Sequence, residues 1–85
     1  MFNLATLAQI KAKLIERGKP ADAVKVAIFA TQEFPEHSDS WYHLGEAYLH
    51  NGNREQAAQS IRRSLALHPA HPDAIRLLQQ VDSPD

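Results

Sequence analysis

Five histidines are the first residues in this chain that could do chemistry. A metal site needs three or four donors converging on one ion. His43 and His50 lie seven residues apart on what reads as one helix, about 10 Å along its axis, too far to share an ion. His68 and His71 flank a Pro-Ala turn, with Asp73 the one carboxylate close by in sequence. No metal ligands are expected. His37, Ser38 and Asp39 carry the side-chain types of a hydrolytic triad. Adjacent residues cannot point at one another as nucleophile, base and orienter must. The chain holds no cysteine, which removes thiol catalysis, disulfides and thiolate metal sites. No catalytic residue and no cofactor is therefore expected, and the chain does not read as an enzyme.

Binding chemistry is the remaining class. Arg54, Arg62 and Arg63 form a small basic strip, but the net charge is -1. That combination reads as a solvated face rather than a nucleic-acid site. No apolar run approaches the roughly 20 residues of a membrane span. The opening MFNLATLAQIKAKL lacks the basic-then-apolar order of a signal peptide, so a cytoplasmic location is expected. With 85 residues, 44% hydrophobic and 22% charged, the chain has room for one small helix-rich domain.

The elements that must position these groups come from punctuation. Gly18 and Gly52 are 34 residues apart, as are Ala23 and Ala57, Pro35 and Pro69, and His37 and His71. The spacing predicts one structural unit used twice, over 4–37 and 38–71. A partial third copy places Ile75 under Trp41 and Leu78 under Leu44. Each unit reads as helix, tight turn, helix. Ser38 is the expected N-cap of a helix running to about Asn51. Gly52 supplies the left-handed residue after it. Asn53 with Gln56 has the spacing of a capping box for the next helix, which runs to about Leu67. In the first unit Gly18 plays the stop, Pro20 sits in the first turn of the second helix, and Pro35 ends it. Pro72 opens a last helix to about Val81, and 82–85 reads as a disordered tail. Five helices and no strand result, over a single domain spanning 1–82.

Trp41, Leu44, Gly45 and Tyr48 share one helix face, and Ala57, Ile61, Ser64 and Leu65 share a face of its partner. A glycine in a helix interior costs about 0.5–1 kcal/mol relative to alanine. Gly45 opposite Ala57 would let the two helices approach closely.

The series Trp41-x2-Leu44-Gly45-x2-Tyr48, then Ala57-x3-Ile61 and Pro69, resembles the tetratricopeptide repeat. The first unit resembles it through Leu7, Ile10, Leu14, Ala23, Ala27, Ala30 and Pro35. Lys11 stands in the slot of Gly45, and Ala27 in that of Ile61. Either the first helix is shifted in register, or Lys11 snorkels from a looser contact. Residues 72–81 resemble the start of a third copy serving as a capping helix.

The resemblance implies an all-α superhelix of helical hairpins, a non-catalytic scaffold whose first helices line a concave groove for a peptide or partner protein. Helix phase places Ala5, Ala8, Ala12, Ile15 and Glu16 on that groove. The second unit adds Asp39, Tyr42, Glu46, Leu49 and His50, and the capping helix adds Asp73, Arg76 and Gln80. One subclass of the family grips a C-terminal carboxylate with Lys, Arg and Asn. The matching positions here are Ala8, Ala12, His43, Asp73 and Leu77, none of those types. The small row Ala5, Ala8 and Ala12 suits close approach of a partner helix, or reflects alanine's helix propensity alone.

A second candidate surface lies on AVKVAIFATQEF. Ala23, Ala27, Ala30 and Phe34 share its core face, while Ile28 and Phe29 stand where the second unit has Arg62 and Arg63. Such an apolar patch tends to be covered, by a second copy, by a neighbouring domain, or by local packing. Short repeats of this kind also resemble those appended to bacterial hydrolases of the penicillin-recognising serine type. On that reading the chain is an accessory module packing on a catalytic domain of a longer parent.

Overall fold

A computed structural model describes residues 3–82. It contains five helices: α1 (Leu4–Glu16), α2 (Pro20–Glu33), α3 (Ser38–His50), α4 (Arg54–Leu67) and α5 (Pro72–Asp82). Among the described residues there is no strand. Consecutive helices pack as antiparallel neighbours, and α3 also touches α1 and α5. The chain therefore forms two layers, with α1, α3 and α5 side by side and α2 and α4 behind them. This is an all-α stack of helical hairpins.

The two glycine turns are copies of one another. Gly18 has φ +73° and Gly52 φ +81°, the left-handed region where a side chain is strained. In each turn the next N–H reaches back over the helix end. Lys19 donates to the Leu14 carbonyl and Asn53 to the Tyr48 carbonyl, both at 2.8 Å.

The helix starts are less regular than expected. Asn3 caps α1 through its side chain, which accepts from the Thr6 N–H at 2.8 Å. Ser38 is not the N-cap of α3. His37 holds that position with an extended backbone, and its side chain makes no cap bond. The Ser38 hydroxyl instead donates to the Ser64 carbonyl at 2.9 Å and pairs with the Ser64 hydroxyl at 2.7 Å, tying α3 to α4. The expected capping box at Asn53 does not form either. Its side-chain oxygen accepts from Asn51 at 2.7 Å. Helix α5 runs one residue past its expected end, through Asp82, whose carboxylate takes Arg62 at 3.4 Å. Residues 83–85 of the expected tail lie outside the described residues.

The core is rich in alanine. Ala23, Val24 and Ala27 of α2 pack on Leu44 and Ala47 of α3. Behind them Ala57, Ala58 and Ile61 of α4 pack with Ala74, Leu77 and Val81 of α5. Alanine lets helix axes approach, and the buried apolar area drives the association. A side chain on Gly45 would have no room. Its Cβ would run into Ile61 Cδ1, lie 2.7 Å from Ile61 Cγ1, and lie 3.2 Å from the Ala57 carbonyl oxygen.

Two expectations for the first unit are corrected. Lys11 does not snorkel to water; it is 5% exposed, in register with Gly45. Ile28 is not part of an open patch. It is half-buried and packs against the α2–α3 cluster, because α2 is flanked by α1 on one side and α3 on the other. Phe29 remains exposed, at 40%.

Candidate functional site

The layer formed by α1, α3 and α5 carries the residues expected on the groove, and it divides into two unlike halves. In the α1–α3 half the main event is Lys11. Its ammonium donates to the Glu46 carboxylate and to His43 Nδ1, the latter at 3.1 Å. A buried ammonium needs such partners, because leaving it unpaired away from water is costly. Burial and then the Lys11 charge hold the His43 imidazole below its ordinary pKa. It stays neutral, with Nδ1 as acceptor. The seam between α1 and α3 is thus closed by its own polar groups.

The α3–α5 half is open. Tyr42, Glu46, Asp73, Arg76, Leu77 and Gln80 line a hollow of about 210 Å³. Tyr42 is half-buried there. Its ring stacks on His71 with centroids 5.3 Å apart and an interplanar angle of 28°, and meets His43 edge-on at 5.3 Å. Burial, and next the Glu46 carboxylate, push the Tyr42 phenol up to about 12. It is a hydrogen-bond donor at any physiological pH. Arg76 pairs with Asp73 one turn away on the rim, where both are exposed and the pair is weak.

His71 fixes this half in place. It is 7% exposed, and its Nδ1 accepts from the Ala74 N–H at 3.1 Å, capping the first turn of α5. That bond leaves the proton on Nε2, which donates to Asp39 Oδ1 at 2.6 Å. One imidazole therefore joins the start of α5 to the start of α3 and supports the Tyr42 ring.

The other expected groove residues sit variously. Asp39 is exposed on one edge and holds His71. Ala5 and Ala12 are exposed and Ala8 half-buried. Glu16 and His50 are exposed, and neither lines the hollow. Ile15 and Leu49 are packing residues. Ile15 flanks the α2–α3 cluster, and Leu49 contacts both clusters between α4 and α5. Lys11, His43, His71 and Leu77 were missing from the expected set. The signal for Lys11 was its place in a slot where the second unit has glycine.

The basic strip is dispersed. Arg54 donates to the Val81 carbonyl at 3.0 Å and the Gln80 carbonyl at 3.1 Å, closing the C-terminal end of α5. Arg62 holds Asp82, and Arg63 lies 5.2 Å from the centre of the Trp41 ring. Ser38, the would-be nucleophile, is bonded to Ser64 rather than to a histidine. Among the described residues no three His, Asp or Glu side chains gather as metal ligands would. No helix there is long and apolar enough to cross a membrane.

Compared with known families, the sequence matches the tetratricopeptide repeat over residues 13–73. The match runs from the end of α1 into the first turn of α5 and takes in both glycine turns.

Proposed function

The chain belongs to the tetratricopeptide repeat family, whose repeats mediate protein–protein interactions, and we propose that it acts by binding a peptide segment of a partner protein in the α3–α5 hollow. The observation that carries this reading is the contrast within the three-helix face. Lys11 ties up Glu46 and His43 on one side. On the other side the half-buried Tyr42 and the exposed Gln80 line the hollow with Leu77, which is 8% exposed, and the exposed Asp73–Arg76 pair stands beside them. That set suits an extended peptide. One side chain rests on the Tyr42 ring, and main-chain groups meet the phenol, the amide and the Asp73–Arg76 pair. The chemistry is recognition, not catalysis.

The test starts from random peptides displayed on phage and selected on the folded domain. Binding of the selected peptides is then measured by calorimetry. Arg76→Ala and Gln80→Lys change exposed side chains, and Tyr42→Phe removes one hydroxyl, so all three variants should fold. Each is expected to weaken binding by about 0.5–2 kcal/mol, the scale of single peripheral contacts. Peptides that bind all three variants as tightly as the parent would refute this location. Leu49→Ala is a poor probe, because Leu49 is part of the packing.

A further inference from the structure

We propose that the face of the stack formed by α1 and α2 is a self-association surface, on which α1 of one copy lies over α2 of a second. The 34-residue equivalence supports this. In the second unit, Ser40, Leu44 and Ala47 of α3 are 0, 5 and 0% exposed: α2 packs on Leu44 and Ala47, and the Ser40 hydroxyl bonds the Phe34 and His37 carbonyls just past α2. Their counterparts on α1 are Thr6, Ile10 and Lys13. These three, with Leu14 and Arg17, line a hollow of about 390 Å³ that no described helix occupies. Two of the three are retained in kind, a hydroxyl for a hydroxyl and a branched aliphatic for a branched aliphatic. Lys13 replaces the buried Ala47, and Arg17 lies one turn beyond it.

The same face continues onto α2. In the second unit the hollow beside Trp41, Leu44 and Tyr48 is walled on α4 by Gln56, Gln59, Ser60 and Arg63. The counterparts on α2 are Asp22, Lys25, Val26 and Phe29. The polar wall has gained two apolar groups, and Phe29 is 40% exposed. The face therefore carries Ile10 and Leu14 on α1 beside Val26 and Phe29 on α2. Lys13 and Arg17 mark its α1 edge, and Asp22 and Lys25 stand on its α2 side. Asp22 is held only loosely by its neighbour Lys25, at 3.9 Å on the surface.

A two-fold axis parallel to the helices exchanges these edges. It sets Ile10 and Leu14 of each copy over Val26 and Phe29 of the other, and Lys13 and Arg17 over the other's Asp22. A patch that meets itself across a two-fold axis, with Lys13 and Arg17 against Asp22 at its edges, closes as a dimer. The surface is separate from the α3–α5 hollow, so association and peptide binding can be measured independently.

The experiment is sedimentation equilibrium of the intact chain from about 1 μM to 1 mM, the range in which small interfaces associate. The expected result is a rise in apparent mass from 9.5 kDa toward twice that value. Phe29→Asp should weaken association about tenfold or more while leaving the circular dichroism of a helical fold. Lys13→Glu with Arg17→Glu in one chain, and Asp22→Lys in another, should each remain monomeric alone. Mixed in equal amounts they should associate, because each face again meets opposite charge. A parent chain that stays at 9.5 kDa throughout would overturn the proposal. So would a dimer indifferent to Phe29→Asp, or a charge-swapped mixture that stays monomeric.

Discussion

Two helix contacts at equivalent places show how one repeat serves two ends. In the second unit a glycine on the first helix faces a large residue on the second: Gly45 and Ile61, the latter 0% exposed. In the first unit the sizes are reversed. Lys11 stands on the first helix and Ala27 on the second, 5 and 2% exposed. Each equivalent pair has one large and one small member, both buried, with the sizes exchanged between the units. The exchange has a consequence across the molecule. Isoleucine ends inside the contact, whereas lysine carries its ammonium to the next unit. There it closes the α1–α3 seam on Glu46 and His43. The α3–α5 half has no such lysine and stays open.

The comparison can be broken at its largest member first. Ile61→Ala should destabilise the domain by about 2–5 kcal/mol in urea unfolding, because the site is fully enclosed. Gly45→Ala places a methyl group against Ile61 and the Ala57 carbonyl, and should cost about 1–3 kcal/mol. The double variant should be more stable than the sum of the two predicts, since alanine at 61 makes room for the new methyl. Strict additivity would mean that the two residues do not share the contact.

The first unit answers to charge. Lys11→Ala should cost about 1–3 kcal/mol, because it removes both the stem and the partner of Glu46. Lys11→Met keeps the stem, and with Glu46→Gln it should recover much of that loss. If Lys11→Met alone matched the parent, the ion pair would contribute nothing to stability.

Acid sharpens the difference further. The folded state holds the His43 pKa below its ordinary value, so the unfolded chain binds the proton first as pH falls. The stability contributed by the neutral ring is present above about pH 6.5 and declines below it. His43→Gln should flatten the fall in melting temperature between about pH 7 and pH 5. An unchanged slope would remove His43 as its source. The turns should show the least contrast. Gly18→Ala and Gly52→Ala each meet open space but a left-handed backbone, so each should cost about 1 kcal/mol, alike in both units.

The parts of this fold legible in the sequence are those written in backbone chemistry. Gly18, Gly52, Pro20, Pro35 and Pro72 mark helix ends because their φ angles or missing N–H groups leave few alternatives. The α2 and α4 core faces follow from helical spacing of Ala23, Ala27, Ala57 and Ile61. What was not legible depends on who lies opposite. Ser38 has the chemistry of a cap but bonds across to Ser64, 26 residues on. Ile28 looks unpartnered on an isolated helix but lies between two neighbours. His71 could be read as a polar loop residue; only the fold shows that its ring caps α5 and holds Asp39. Leu49 falls in phase with the groove, and it is half-buried and packs against the α4 and α5 clusters.

The central claim is that a peptide occupies the open α3–α5 half and leaves the closed α1–α3 half untouched. Backbone amide shifts of the labelled domain, titrated with a phage-selected peptide, test this most directly. The account predicts the largest shifts at Tyr42, Asp73, Arg76 and Gln80, with little change at Ala5, Ala8 and Ala12. Shifts centred on Ala5, Ala8 and Ala12, with Arg76 and Gln80 unmoved, would contradict it.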